Sequence, residues 1–133
     1  MIIPEAWSGL GHDMLTAVAI LEGAGLGALD NGMVFSAVAH AASVAGPIVD
    51  YGTKEQQDEW LPRLANGSVI GAAAITEPGT GSNSLGMTTA ARQDGEHWVL
   101  DGSKTFITNA PVADLFLAYA RTGKGSMAGL SAW

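Results

Sequence analysis

Residues 75–83 read Ile75-Thr76-Glu77-Pro78-Gly79-Thr80-Gly81-Ser82-Asn83. A mostly apolar run from Val69 to Thr76 leads into them and predicts a buried strand, although its alanines leave a helix open. The run ends in Thr-Glu-Pro and passes into a Gly-rich turn that carries Thr80, Ser82, Asn83 and Ser84. Successive backbone N–H groups at such a turn, with hydroxyls beside them, form a concave site for an anion or for the polar edge of a ring. Gly79 and Gly81 let a backbone come close to a ligand. The same residues also read as a solvent-exposed connection between two strands, because Gly/Ser-rich turns are common. Glu77, next to the turn, is a candidate general base and equally a structural hydrogen-bonding residue.

Downstream, the pattern is β. Runs at Met87–Gln93, His97–Leu100, Lys104–Thr108, Leu115–Tyr119 and Leu130–Trp133 predict short strands, and Asp94-Gly95 and Asp101-Gly102 between them signal hairpins. A sheet of this kind is expected to leave open edges, a hint that more structure belongs to it. Within it, Trp98-Val99-Leu100-Asp101-Gly102-Ser103-Lys104-Thr105-Phe106-Ile107-Thr108-Asn109-Ala110 is the second informative segment. It reads either as a hairpin with a buried aromatic edge or as a surface on which Phe106, Ile107 and Thr108 present a ring face, backbone groups and a hydroxyl to a planar ligand.

Upstream, the pattern is helical. Asp13 before the apolar run Met14–Leu21 is an N-cap candidate, with Gly23, Gly25 and Gly27 as terminators. A second helix is predicted after Asp30-Asn31-Gly32, with Val34, Ala37, Val38, Ala41, Val44, Ala45 and Ile48 on one face and a kink or an end near Gly46, caused by Pro47. A third starts at Thr53, where Gln56 completes a capping box, carries Trp60, Leu61 and Leu64 inward, and stops at Asn66-Gly67. The expected fold class is therefore α+β: a helical segment over residues 1–68, then part of an antiparallel, barrel-like sheet over residues 69–133.

Composition narrows the function. The chain has 6 basic and 13 acidic side chains among 133 residues, a formal net charge of −7, and no Lys/Arg cluster. Nucleic-acid binding is not expected, and phosphate contacts should come from backbone N–H groups and hydroxyls. There is no cysteine, so disulfides, thiolate metal sites and a Cys nucleophile are excluded, and a reducing, cytoplasmic setting fits. The longest apolar stretch, Met33–Val49, is interrupted by Ser36, His40, Ser43 and Pro47 and is expected to be a buried core helix, not a membrane span. No signal peptide is legible at the start. His12, His40 and His97 lie in different elements without ligand spacing, so no metal site is expected. Gly79-x-Gly81 lacks the third glycine of a dinucleotide fingerprint, and no Lys-Ser/Thr pair marks a phosphate loop.

Taken together and in this order, the ITEPGTGSN and LDGSKTFITNA segments resemble the acyl-CoA dehydrogenase family. PEAWSGLGHDMLTAVAILEGAG resembles that family's helical region, and GTKEQQDEWLPRLANGSVIGAAAITEP its passage from the amino-terminal domain to the middle β-domain. The resemblance covers essentially the whole chain. It implies an FAD-dependent α,β-dehydrogenation of an acyl thioester, on coenzyme A or on a carrier protein. It further implies that Ala73, Ile75, Thr76, Gly81 and Ser82 line the flavin, that Ser82 also meets the substrate, and that Phe106, Ile107 and Thr108 match the family's Trp-Ile-Thr stretch packed on the ring. In the family, the hydroxyl at the Thr108 position points toward the flavin's reactive nitrogen. Phe106 in place of Trp, Asn83 in place of Asp, and Ala73 in place of a larger residue are departures. The family's proton-abstracting carboxylate belongs to a carboxy-terminal helical domain, so no residue here is expected to be the catalytic base. A chain of this extent is expected to work with an oligomer, a base-bearing partner or further domains, with an electron-transfer flavoprotein as the parent's acceptor. A non-catalytic subunit and a related flavin oxidase remain alternatives.

Overall fold

The computed structural model describes residues 1–123 and 129–133. The chain divides into a helical unit, Met1–Ala72 with Thr108–Leu115, and a β unit, Ala73–Ile107 with Phe116–Trp133. The α+β class is as expected.

In the helical unit, α1 spans Met14–Gly27, and the Asp13 side chain accepts the Thr16 N–H at 2.7 Å, as the sequence predicts for its cap. The helix does not stop at Gly23 or Gly25 but runs to Gly27; neither glycine has a positive φ. A glycine inside a helix costs only about 1 kcal/mol against alanine, which the flanking turns of α1 offset. Asp30 caps α2, Asn31–His40, through the Gly32 N–H at 2.8 Å. The chain then widens into a π-helical turn, Ala41–Ala45, and continues as α3, Gly46–Tyr51. Pro47 therefore does not end the helix. It falls in the first turn of α3, where its missing N–H costs little, and the wider turn before it absorbs the mismatch.

The expectation of a buried core helix holds only in part. Val44, Ala45 and Ile48 are buried, whereas Ala37 is exposed and Val34, Val38 and Ala41 are half-buried. The continuous helix Asn31–Tyr51 is long and apolar enough, by length and composition alone, to cross a membrane. Its polar side chains, however, are bonded to protein at both Ser36 and His40.

The last helix, α4, spans Lys54–Asn66 and has the capping box in full. Thr53 Oγ1 accepts the Gln56 N–H at 3.3 Å, and Gln56 Oε1 accepts the Thr53 N–H at 2.9 Å. Leu61 and Leu64 are buried with Ile3, Ala17, Val69 and Ala72, and Trp60 is half-buried under the Arg63 guanidinium, 4.9 Å from its ring centre. Thr53→Ala removes one side of this box and is expected to cost about 1 kcal/mol of stability, read as a shift in urea midpoint at constant slope.

Among the described residues the sheet has five strands, β1 Gly71–Ala74, β2 Ala90–Asp94, β3 His97–Asp101, β4 Leu115–Arg121 and β5 Leu130–Ala132, in the order β1-β4-β2-β3 with β5 also on β4. The Asp94-Gly95 hairpin forms as predicted, with Asp94 opposite His97 and Gly95 at φ 63. The β4–β5 pair is also antiparallel, Tyr119 opposite Ala132. The sheet is not antiparallel throughout, however: β2 meets β4 in parallel, Ala90 beside Arg121. A parallel neighbour requires a long connection, and β3 with residues 102–114 supplies it.

Two local expectations fail, each for its own reason. Lys104–Thr108 is not a strand, because Phe106 takes φ 55 and breaks any extended run. Asp101-Gly102 makes no hairpin; Gly102, at φ 156, lies so close to Thr89 that a Cβ there would be 2.4 Å from Thr89 Oγ1. The strand predicted from Met87 begins only at Ala90, since Thr88 and Thr89 are drawn toward Glu77.

Candidate functional site

The Gly-rich turn closes on itself. Glu77 and Thr80 exchange backbone bonds, N–H to O at 3.0 and 3.1 Å, and Thr80 Oγ1 donates to the Asn83 carbonyl at 2.8 Å. A 3-10 turn, Ser84–Gly86, follows, and Arg121 holds what comes after it: its guanidinium donates to the Leu85 carbonyl and, through Nε, to the Met87 carbonyl at 3.2 Å. Pro78, Gly79, Gly81, Ser82 and Asn83 are left exposed. A Cβ built on Gly79 or Gly81 would meet no atom within 4 Å, so the space over this backbone is open to a ligand.

Beneath the turn lies Glu77, whose side chain is 2% exposed. Oε2 accepts the Thr88 N–H at 2.6 Å and the Thr88 hydroxyl at 2.8 Å; Oε1 accepts the Thr89 N–H at 2.9 Å and Lys104 Nζ at 3.0 Å. Burial pushes this carboxyl's pKa up, but the hydrogen bonds from Thr89 and Thr88 outweigh it and hold the group well below the usual carboxylate range. A carboxylate so fully engaged has no lone pair directed at a substrate and too little basicity for proton abstraction. Glu77 is a structural anchor.

Lys104 joins the two informative segments. Besides Glu77, its Nζ donates to the Ile75 carbonyl at 3.0 Å, and the neighbouring Thr105 N–H donates to the Thr76 carbonyl at 2.9 Å. Ile75 and Thr76 are thereby laid beside Lys104 and Thr105, immediately before Phe106. The Phe106 ring is 92% exposed, on a backbone at φ 55 that non-glycine residues rarely adopt. Ala73, Ile75, Thr76 and Ile107 are half-buried. Ile75 also borders a cavity of about 320 Å³ with Ser84, Met87, Tyr119 and Leu130, where burial raises the Tyr119 hydroxyl's pKa.

Thr108 belongs to the helical unit, half-buried, and is followed by Asn109 at φ 69. Asn109 Nδ2 donates to the Ser36 and Gly71 carbonyls at 3.2 and 3.1 Å, and its Oδ1 accepts from Ser36 Oγ at 2.5 Å. Nearby, His40 Nδ1 accepts the Gly71 N–H at 3.1 Å, so the ring proton sits on Nε2 and donates to the Leu64 carbonyl. His40 is a clip between elements, not a ligand.

Lys104, Asn109 and Arg121 escaped the sequence reading. Lys104 is a lone charge inside a β-prone run, and Asn109 is a residue type that tolerates the left-handed region; both signals were present but weak. Arg121 left no such signal.

Open space over Gly79 and Gly81, exposed Ser82 and an exposed Phe106 ring suit a planar, anionic cofactor such as a flavin dinucleotide. Residues 1–68 match the acyl-CoA dehydrogenase N-terminal domain, and residues 72–133 match its middle domain. The chain is 43% identical to L-prolyl-[peptidyl-carrier protein] dehydrogenase of Pseudomonas fluorescens over 90% of its own length and 32% of that protein. It is 38% identical to the mitochondrial short-chain specific acyl-CoA dehydrogenase of Bos taurus, over 93% of the chain and 30% of the relative. Among solved structures, PigA with FAD and proline superposes with a TM-score of 0.96 at 34% identity, over 99% of this chain and 35% of that one. The chain spans about a third of the length of the relatives it matches. With both of its segments matched in order, it belongs to the acyl-CoA dehydrogenase family.

Proposed function

We propose that the chain carries part of an FAD site and that the protein's reaction is the α,β-dehydrogenation of an acyl thioester. The observation that carries this reading is the Lys104–Thr105 latch, which aligns Ile75-Thr76 with the segment entering Phe106. On this reading, residues 1–68 and 69–133 are parts of two domains. Ala73, Ile75, Thr76, Gly81 and Ser82 line the cofactor from one segment, and Phe106, Ile107 and Thr108 from the other. Phe106 supplies a ring face, the turn at Gly79–Ser82 supplies N–H groups and a hydroxyl for phosphate oxygens, and Ser82 also reaches the substrate. When bound, FAD supplies the hydride acceptor. The Thr108 hydroxyl would be the donor toward the bound ring and would supply electrostatic stabilisation there.

Glu77 is committed to Thr88, Thr89 and Lys104, so proton abstraction is assigned to a carboxylate that another domain or subunit provides. An electron-transfer flavoprotein fits as the acceptor for the complete enzyme. The 43% identity to a prolyl-carrier dehydrogenase favours a second reading of the substrate, an aminoacyl thioester on a carrier protein in place of acyl-CoA. Incubating the chain with FAD, an artificial electron acceptor, an acyl-CoA series and a prolyl-carrier protein tests both readings. Negligible turnover with every substrate is expected from the chain by itself, and preference between the two substrate types should emerge once a base-bearing partner is added. Rapid turnover by the isolated chain would overturn the assignment of the base.

A further inference from the structure

Two asparagines in the chain precede glycine, in Asn31-Gly32 and in Asn66-Gly67. In such a pair the glycine's backbone nitrogen can reach the asparagine's side-chain carbonyl carbon, because no Cβ stands in the way. The folded chain treats the two pairs differently, although both asparagines are exposed. Asn31 opens α2, and the Gly32 N–H donates to the Asp30 carboxylate at 2.8 Å. That bond keeps the proton on the nitrogen and sets a negative charge beside the place where a nitrogen anion would form. Asn66 is the last residue of α4, and Gly67 follows it in the left-handed region at φ 76 and ψ 11. A Cβ built on Gly67 would meet no atom within 4 Å, so the space beside it is open. Asn66 Oδ1 accepts the Ser68 N–H at 2.8 Å. A donor on that oxygen draws electrons from Cγ and stabilises the oxyanion formed when a nucleophile adds there.

We propose that Asn66 is a site of self-modification, a deamidation that requires only water. The Gly67 nitrogen gives its proton to water and adds to Asn66 Cγ. The new N–Cγ bond closes a five-membered succinimide; the Cγ–NH2 bond breaks and, taking a proton from water, leaves as ammonia. Water then opens the ring at either carbonyl, and the product is aspartate or isoaspartate at this position. Nothing is oxidised or reduced. The product bears on the fold, because a carboxylate here stands at the negative, C-terminal end of the α4 dipole. Isoaspartate also routes the main chain through the side-chain methylene, just before Val69 and Ile70. The N–H groups of those two residues close on the Arg63 carbonyl at 3.2 Å and on the Asp114 carboxylate at 2.9 Å. Ageing at Asn66 therefore loosens the exit from α4, whether or not the chain binds FAD.

The test ages the purified full chain in mildly alkaline buffer, with circular dichroism to verify folding, and follows each asparagine by tryptic mass spectrometry. Asn31 falls in the peptide 1–54, and Asn66 in the peptide 64–92, where fragment ions separate it from Asn83. In the folded chain Asn66 is expected to convert at least about tenfold faster than Asn31, a barrier difference of about 1.4 kcal/mol. In urea the two should convert at similar rates, since the same dipeptide then stands in an open chain. Gly67→Ala places a Cβ beside the attacking nitrogen and should slow conversion of Asn66 by about tenfold, leaving Asn31 unchanged. A folded chain in which Asn31 converts as fast as Asn66 overturns the proposal. So does an Asn66 that converts only in urea, or one that keeps its full rate in Gly67→Ala.

Discussion

Glu77→Gln is expected to destabilise the chain by about 3–5 kcal/mol, the cost of breaking a buried pair by removing one partner. Several effects act together. The amide's NH2 must point at donors, because all four contacts of the carboxylate are N–H, O–H or ammonium groups from Thr88, Thr89 and Lys104. The Lys104 ammonium, its side chain 13% exposed, loses its counter-ion. Against a domain stability of order 5–15 kcal/mol, that loss leaves a substantial unfolded fraction. Lys104→Met should do comparable harm by stranding the carboxylate. The double variant should be less damaging than the sum of the two, which a denaturation cycle measures directly. The pH dependence has a definite sign. The folded carboxyl titrates below its unfolded value of 4.5, so its stabilisation is complete at neutral pH and is lost as pH falls below that value toward the folded pKa. Glu77→Gln should flatten the acid limb of the stability profile, and an acid limb identical to the parent's would contradict the assignment.

Phe106→Ala should separate binding from folding. The ring is 92% exposed, so its removal takes little buried area and should change stability by less than about 0.5 kcal/mol. If the ring is the face on which the flavin packs, FAD affinity should fall by tenfold or more, since aromatic contacts contribute about 0.5–1.5 kcal/mol beyond the area they bury. Equilibrium titration of flavin fluorescence alongside thermal melting reads both quantities. Equal loss of stability and affinity would place Phe106 in the core; loss of neither would remove it from the site.

The sequence made the helices and the site segments legible to different degrees. Caps at Asp13 and Thr53 were readable because each is a local side chain-to-backbone bond over three residues. The Asp94-Gly95 hairpin was readable for the same reason. The parallel β2–β4 contact was not, since it depends on where a long connection returns. Nor was the loss of the strand at Lys104–Thr108: its residues have strand propensity, but Lys104 turns inward to Glu77, 27 residues away, and Phe106 takes a left-handed backbone. The two segments proposed to face the flavin were recognisable as a pair of motifs in order. What holds them beside one another, a buried ion pair and a backbone bond from Thr105 to Thr76, is tertiary chemistry that no window of residues displays.

The most direct measurement is a titration of the purified chain with FAD, followed by flavin absorbance and fluorescence, with circular dichroism to verify folding. A half-site made by the two segments predicts saturable binding, a shifted and structured visible band, and weaker binding in Phe106→Ala. A folded chain in whose presence FAD keeps the spectrum and fluorescence of the free cofactor would contradict it.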